Sequence, residues 1–144
     1  MTSIPETILD IANLSVSVRG EEGEREVVSN LSLTLSRGET LCIAGESGSG
    51  KSVTALAIMQ LLPQPAARIS SGQIRLGETD LATLDERQMR RIRGDRIAMI
   101  FQEPMTSLNP VLSIGRQLTE SIEAHTSLSS TEARRRAIEA LKAV

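Results

Sequence analysis

The sequence predicts an α/β fold organised around a phosphate-binding loop. Three observations carry that prediction. Short apolar or alternating segments are interleaved with helical patterns up to about residue 104, which suggests an α/β layer. Gly45-Glu46-Ser47-Gly48-Ser49-Gly50-Lys51-Ser52 fits the pattern G-x-x-x-x-G-K-[ST], placed between an apolar run and a helical run as that loop requires. Beyond residue 104 the pattern is purely helical.

The elements follow in order. Ile8 to Val18 alternates loosely, with Leu14, Val16 and Val18 separated by serines, and Leu31, Leu33 and Leu35 alternate with Ser32, Thr34 and Ser36. Both read as half-buried strands. Between them Arg19 to Glu26, rich in Gly and Glu, reads as a solvated loop, and Arg37-Gly38 as a turn. Thr40 to Ala44 is a short apolar run bounded by glycines, expected to be a buried strand with Cys42 as a small core side chain. Val53, Leu56, Ala57 and Gln60 fall at helical spacing, so a helix is expected over Ser52 to Leu62, stopped by Pro63. Pro63 to Ser71 reads as a loop, and Ile74 and Leu76 as a short strand closed by Gly77.

Asp85 to Arg93 reads as a polar helix, acidic at its start and basic at its end, in line with the helix dipole. Ile97 to Phe101 is a second candidate for a buried strand, and Pro104 to Pro110 a loop. Ile114, Leu118 and Ile122 form one helical stripe, read as packing first and a docking face second. Ser129-Ser130-Thr131-Glu132 has the spacing of a capping box ahead of a last helix from Glu132 onward.

Composition narrows the function. Sixteen basic residues against 18 acidic ones give a net charge of −2, which argues against nucleic acid as a partner. One cysteine allows no internal disulfide and fits a reducing compartment. The N-terminus shows no signal-peptide pattern, and no apolar run approaches the ~20 residues of a membrane span, so a soluble or peripherally held protein is expected. The clusters Arg90, Arg91, Arg93, Arg96 and Arg134 to Arg136 read as solvated helix faces; phosphate binding for the first and contact with a membrane partner for the second are the alternatives.

The loop's chemistry is specific. Gly45, Gly48 and Gly50 let main-chain N–H groups turn inward without a Cβ clash. The helix that follows points its N-terminus at the anion. Lys51 supplies a point charge to β- and γ-phosphates, and Ser52 a hydroxyl suited to Mg²⁺. A Gly/Ser linker is the bland alternative, and the flanking strand-like and helical runs disfavour it. The N-K-x-D and D-x-x-G marks of GTPases are absent: Asn13, Asn30 and Asn109 precede Leu, Leu and Pro, and no Asp has a Gly three residues on.

Gly45 to Val53 (GESGSGKSV) together with Ile100 to Pro110 (IFQEPMTSLNP) resembles the ATP-binding subunit of ABC importers, more narrowly its oligopeptide, dipeptide, glutathione and nickel branch. Gly72 to Leu81 and Met89 to Gly94 (MRRIRG) fit the same pattern, so the likeness runs from about Leu9 to Val144. The resemblance implies an ABC-type P-loop NTPase core with an N-terminal antiparallel β part. Residues 1–104 would form that part and the core, and 105–144 the start of a helical subdomain. It implies that Gly45, Glu46, Ser47, Gly48, Ser49, Gly50, Lys51, Ser52 and Val53 bind ATP, and that Ser52 and Gln102 hold Mg²⁺. Gln102 would be the Q-loop glutamine that positions the attacking water. A second ATP-binding subunit and membrane-spanning permease subunits would be the partners, with no direct solute binding. The protein would sit at the cytoplasmic face of the bacterial inner membrane.

Some family features have no counterpart in these 144 residues. There is no Gly-Gly pair for an LSGGQ-type signature and no Asp-Glu Walker B pair downstream of the helical region. His125, the one histidine, lies too early for the switch histidine and reads as a surface residue of a Ser/Thr-rich loop. The expectation is a truncated, split or interrupted copy that binds ATP and hydrolyses it poorly. Glu103, beside Gln102, reads as a loop carboxylate rather than the missing base. Adenine would meet Val18, with Arg19 as an alternative, since no aromatic lies near the first strands. A non-catalytic nucleotide-binding remnant is the second reading. A small P-loop kinase is the third, and the Gln102 segment disfavours it.

Overall fold

A computed structural model of the chain describes residues 6–20, 23–102 and 108–144. The chain divides into two compact units, Met1–Met89 and Arg90–Val144.

In the first unit, β1 (Thr7–Gly20) and β2 (Gly23–Ser36) pair antiparallel, β3 (Ala67–Leu76) joins the other side of β1, and β4 (Thr79–Asp80) pairs with β3. The strand order is therefore β2-β1-β3-β4. The central strand supplies half of the largest fully buried side chains, Ile11, Leu14 and Val16, and the others are Ile74 of β3, Leu81 and Met89. On β2 the predicted alternation holds, with Leu31, Leu33 and Leu35 half-buried between exposed Ser32 and Thr34.

Strict alternation fails at Leu14-Ser15-Val16, which are all buried. The backbone explains it. Asn13 and Asn30 adopt left-handed conformations (φ 52° and 49°), and the β1–β2 register shifts beside them. Gly72 of β3 lies against the same point: a methyl there would come within 2.5 Å of the Asn13 carbonyl oxygen and Leu14 Cα. Serine hydroxyls take up the amides freed by this irregularity. Asn13 N–H donates to Ser32 Oγ at 2.9 Å and Asn30 N–H to Ser15 Oγ at 3.1 Å. The bulge thus lines up across three strands and bends the sheet.

Helix α1 (Lys51–Ile58) lies on this sheet through buried Thr54 and Ala57, with Met59 buried just beyond. It ends earlier than Leu62, because Gln60 turns to φ 50° and its side-chain amide donates to the Leu81 carbonyl. A 3-10 turn, Leu81–Thr83, is capped by Asp80, which accepts from Ala82 N–H at 3.0 Å. Asp85 then starts α2 (Glu86–Ile92) by accepting from Gln88 N–H at 2.7 Å, while the Gln88 side chain returns to Asp85 N–H at 2.9 Å.

In the second unit the Ile92 carbonyl accepts from Arg96 N–H at 2.9 Å, closing a turn after α2. Helices α3 (Ile114–His125) and α4 (Ser130–Lys142) pack together, with Ala133 and Ala137, one turn apart, buried on α4. Ser113 caps α3. Ser129 and Glu132 form the predicted capping box on α4. Leu118 and Ile122 are half-buried, whereas Ile114 is exposed.

Several expectations need correction. The strands run through most of Arg19 to Glu26, pairing Arg19 with Glu24 and Ser17 with Glu26. Both strands project past the core there, so they bury no face that alternation could mark. Thr40 to Ala44 forms no strand, and Leu41, Cys42 and Ile43 are exposed. Ile97 to Phe101 likewise forms no strand beyond a single bridge to Arg93, and Ile100 is 98% exposed. A strand buried on both faces needs hydrogen-bonded neighbours and a cover, and neither segment has a ladder partner among the described residues. Ala67 to Ser71, expected in a loop, belongs to β3. His125 closes α3 and is half-buried. Its ring packs over Gly94, where a methyl would come within 2.6 Å of Nε2.

Candidate phosphate-binding site

The loop from Gly45 to Gly50 leaves the exposed 40–44 segment and enters α1. Every residue from Arg37 to Ser49 is exposed, and Gly50 is buried. Ser49 N–H donates to the Glu46 carbonyl at 3.2 Å, turning the loop. At Gly45 a methyl would come within 2.6 Å of Ser49 Oγ, so side-chain bulk is excluded by the loop itself. Gly48 (φ 83°) faces open space.

Gly50 (φ 90°) is the N-cap of α1, and no side chain caps the helix. The first intrahelical bond is Thr54 N–H to the Gly50 carbonyl at 2.8 Å, reinforced by Thr54 Oγ1 at 3.0 Å. The amides of Lys51, Ser52 and Val53 are therefore the orphan donors of the first turn, and no acidic residue stands among them. They form the positive end of the helix dipole, which suits an anion.

Lys51 closes the loop. Its Nζ donates to the Gly45 carbonyl at 2.7 Å, the Glu46 carbonyl at 2.7 Å and Ser49 Oγ at 3.2 Å. An ammonium has three donors, and the loop supplies three acceptors. The charge is thereby held against the backbone at the first end of the loop. Ser47 and Ser52 are exposed and Val53 is half-buried. The Ser52 hydroxyl is a hard oxygen with no side-chain hydrogen bond among the described residues, which fits Mg²⁺ held together with phosphate. No cluster of three or more His, Cys, Asp or Glu is placed to hold a metal among the described residues.

The other predicted positions are not part of this loop. Gln102 belongs to the second unit and is exposed at a bend, and Glu103 falls outside the described residues. Val18 is half-buried and Arg19 exposed, with Arg19 N–H donating to the Ala66 carbonyl at 2.7 Å. Sequence reasoning missed one contact: Gly50 sits against Val27 and Val28 of β2. Nothing in the local motif marks residues so far away along the chain. No described helix is long and apolar enough to cross a membrane.

Known proteins resemble this chain in sequence and in fold. The ABC transporter family profile matches residues 28–144. The oligopeptide transport ATP-binding protein OppD of Bacillus subtilis is 44% identical over 137 residues, covering 95% of this chain and 38% of that protein. The glutathione import ATP-binding protein GsiA of Salmonella typhimurium is 49% identical over 131 residues, covering 88% of this chain and 21% of that one. Among solved structures, the ATP-binding cassette MJ0796, a dimer in a post-hydrolysis state bound to ADP and Pi, superposes with a TM-score of 0.78 at 27% identity. That match covers 93% of this chain and 56% of the cassette. The chain thus spans well under half of these curated relatives.

Proposed function

This chain belongs to the ABC transporter family, and on that premise we propose that it binds Mg-ATP through Gly45 to Val53 as part of an ATP-binding subunit for import of peptides or related small solutes. The observation that carries the reading is the loop itself. The Lys51 ammonium is held by the carbonyls of Gly45 and Glu46 beside an uncapped helix start. Three orphan amides offer directional donors to a polyphosphate tail, and the Lys51 ammonium adds its positive charge. They offer nothing of comparable specificity to a neutral ligand.

Each residue has a role in this reading. The amides of Lys51, Ser52 and Val53 hold phosphate oxygens, and Lys51 neutralises the β- and γ-phosphates. Gly45, Gly48 and Gly50 allow the close approach, with Glu46, Ser47 and Ser49 completing the loop. Ser52 would hold Mg²⁺, and Gln102, by its place in the family pattern, would join it and orient the attacking water. Bound Mg²⁺ supplies neutralisation of the developing phosphate charge. Residues 1–104 are assigned to the β part and core, and 105–144 to the start of the helical subdomain. Permease subunits and a second ATP-binding subunit, at the inner face of the cell membrane, are the proposed partners.

Phosphoryl transfer to water also needs a positioned polar group for the nucleophile and full charge compensation. The 144 residues supply the P-loop and Gln102 and no downstream Asp-Glu pair. To these residues by themselves we assign nucleotide binding without efficient turnover; a non-catalytic nucleotide-binding remnant is the second reading. Calorimetry with Mg-ATP tests the binding, and phosphate release by the same preparation tests the turnover. Absence of heat at millimolar nucleotide on folded protein overturns the first; release that is robust and Lys51-dependent overturns the second.

A further inference from the structure

Gly50 is the point where the phosphate loop meets the sheet. It is the next buried residue along the chain after Val28. A methyl placed on Gly50 would lie 2.9 Å from the Val27 carbonyl oxygen and 3.1 Å from Val28 Cγ2. At the other end of the loop, Gly45 meets only the loop's own Ser49 and Lys51. Of these two glycines, only the one at the second end of the loop faces another element of the unit in this way.

We propose that Val28 is a positioning residue for nucleotide binding: its Cγ2 methyl and the Val27 carbonyl form the seat that holds Gly50 in its left-handed conformation and so aims the amides of Lys51, Ser52 and Val53. This rests on the reading of the loop as a nucleotide site. Val28 makes a stiff seat for two reasons. Its branched Cβ restricts χ1. It also pairs across the sheet with Val16, which is fully buried and pairs in turn with Ile69 on β3. Gly50 has no side chain of its own to set its height over the strand: Thr54 holds its carbonyl on the helix side, and Val27 and Val28 lie against it on the strand side. If the seat is lowered, Gly50 can tilt, and the three amides move relative to the Lys51 ammonium, which is tied to the far side of the loop. Amide cradles lose affinity when their donors stop converging, long before they lose their fold.

Val28→Ala, Val28→Thr and Ile74→Val in the full chain test this. Threonine keeps the branched shape and, in the matching rotamer, puts its hydroxyl where the Cγ2 methyl stands. Ile74 is fully buried in β3 and meets neither Gly50 nor the loop in the contacts described, so its truncation reports general core loss. Val28→Ala should weaken Mg-ATP binding roughly three- to tenfold, as expected for displacement by a few tenths of an ångström. Ile74→Val should stay within about twofold of the unaltered chain, since the position of the seat is kept, and Val28→Thr, which keeps the branched shape but puts a hydroxyl in a buried place, should fall between it and Val28→Ala. The amide resonances of Gly50 and Lys51 should shift in nucleotide-free Val28→Ala and not in Ile74→Val. If Val28→Ala is too unstable to study, Val28→Ile, which presses on Gly50, should shift the same resonances. Equal affinities for Val28→Ala and Ile74→Val, or unmoved Gly50 and Lys51 resonances, overturn the proposal. If the unaltered chain takes up no Mg-ATP, the nucleotide reading fails, and the nucleotide-free resonances still decide whether Val28 seats the loop.

Discussion

The Lys51 ammonium donates to the Gly45 carbonyl across 2.7 Å, joining the first residue of the phosphate loop to the first residue of α1. That bond makes Lys51 both a charge for the ligand and a strut for the loop. Lys51→Ala should weaken Mg-ATP binding by about 1.5–3 kcal/mol, the worth of a charged hydrogen bond, or roughly ten- to a hundredfold in Kd. Calorimetry reads it directly. Lys51→Met keeps the aliphatic stem without the charge, and an unchanged Kd for it would mean that the ammonium is not part of the site.

Two glycines of the loop share a left-handed backbone and differ in surroundings. Gly48 (φ 83°) has open space where a side chain would go, while Gly50 (φ 90°) faces Val27 and Val28. Gly48→Ala should cost about 1–2 kcal/mol, from left-handed strain alone. Gly50→Ala adds overpacking, so it should cost about 1–3 kcal/mol more. Urea unfolding of both variants checks the ranking, and equal midpoints would show that β2 does not constrain Gly50.

This contrast bears on what can be read from a sequence. The loop that leads into α1 was legible because its determinants are contiguous: three glycines, a lysine and a serine over eight positions. The capping box at Ser129 and Glu132 was legible for the same reason. Thr40 to Ala44 and Ile97 to Phe101 show what contiguity leaves out. An apolar run announces surface that would gain from burial, but a strand also needs hydrogen-bonded neighbours, and those come from elsewhere in the chain. Cys42 followed its segment into solvent. The opposite error occurred at Arg19 to Glu26, where two strands pair and their side chains carry no periodic mark. The Val28–Gly50 contact is invisible for a third reason, since it joins two positions through space with no motif of their own.

Base selectivity should be weak. Val18, half-buried on β1 between Arg25 of β2 and Ala67 of β3, offers aliphatic surface to a base. It has no donor or acceptor with which to separate a 6-amino from a 6-oxo group. Kd values for Mg-ATP and Mg-GTP should agree within about threefold, less than a single net hydrogen bond would give. Val18→Tyr should tighten both by about 0.5–1.5 kcal/mol through stacking. A strong preference for ATP in the unaltered chain would place the base against some other surface.

The start of α4 should be acid-sensitive. Ser129 N–H donates to Glu132 Oε2 at 3.1 Å and Glu132 N–H to Ser129 Oγ at 3.4 Å. The Ser129 hydroxyl, then its backbone N–H, hold the Glu132 carboxyl below the ordinary glutamate value, and Arg135 lowers it further. A carboxylate with a depressed folded-state pKa contributes stability above its unfolded pKa and loses it as the pH falls through the folded value. Helix α4 should therefore begin to fray below the ordinary carboxylate range and remain intact near neutrality. Glu132→Gln retains an acceptor for Ser129 N–H and cannot titrate, so far-UV circular dichroism should show a shallower acid transition for it. Ser129→Ala removes the cap at every pH, at about 1 kcal/mol. Identical acid transitions for the unaltered chain and Glu132→Gln would mean that the box does not govern the helix start, leaving burial of Ala133 and Ala137 against α3 to hold it.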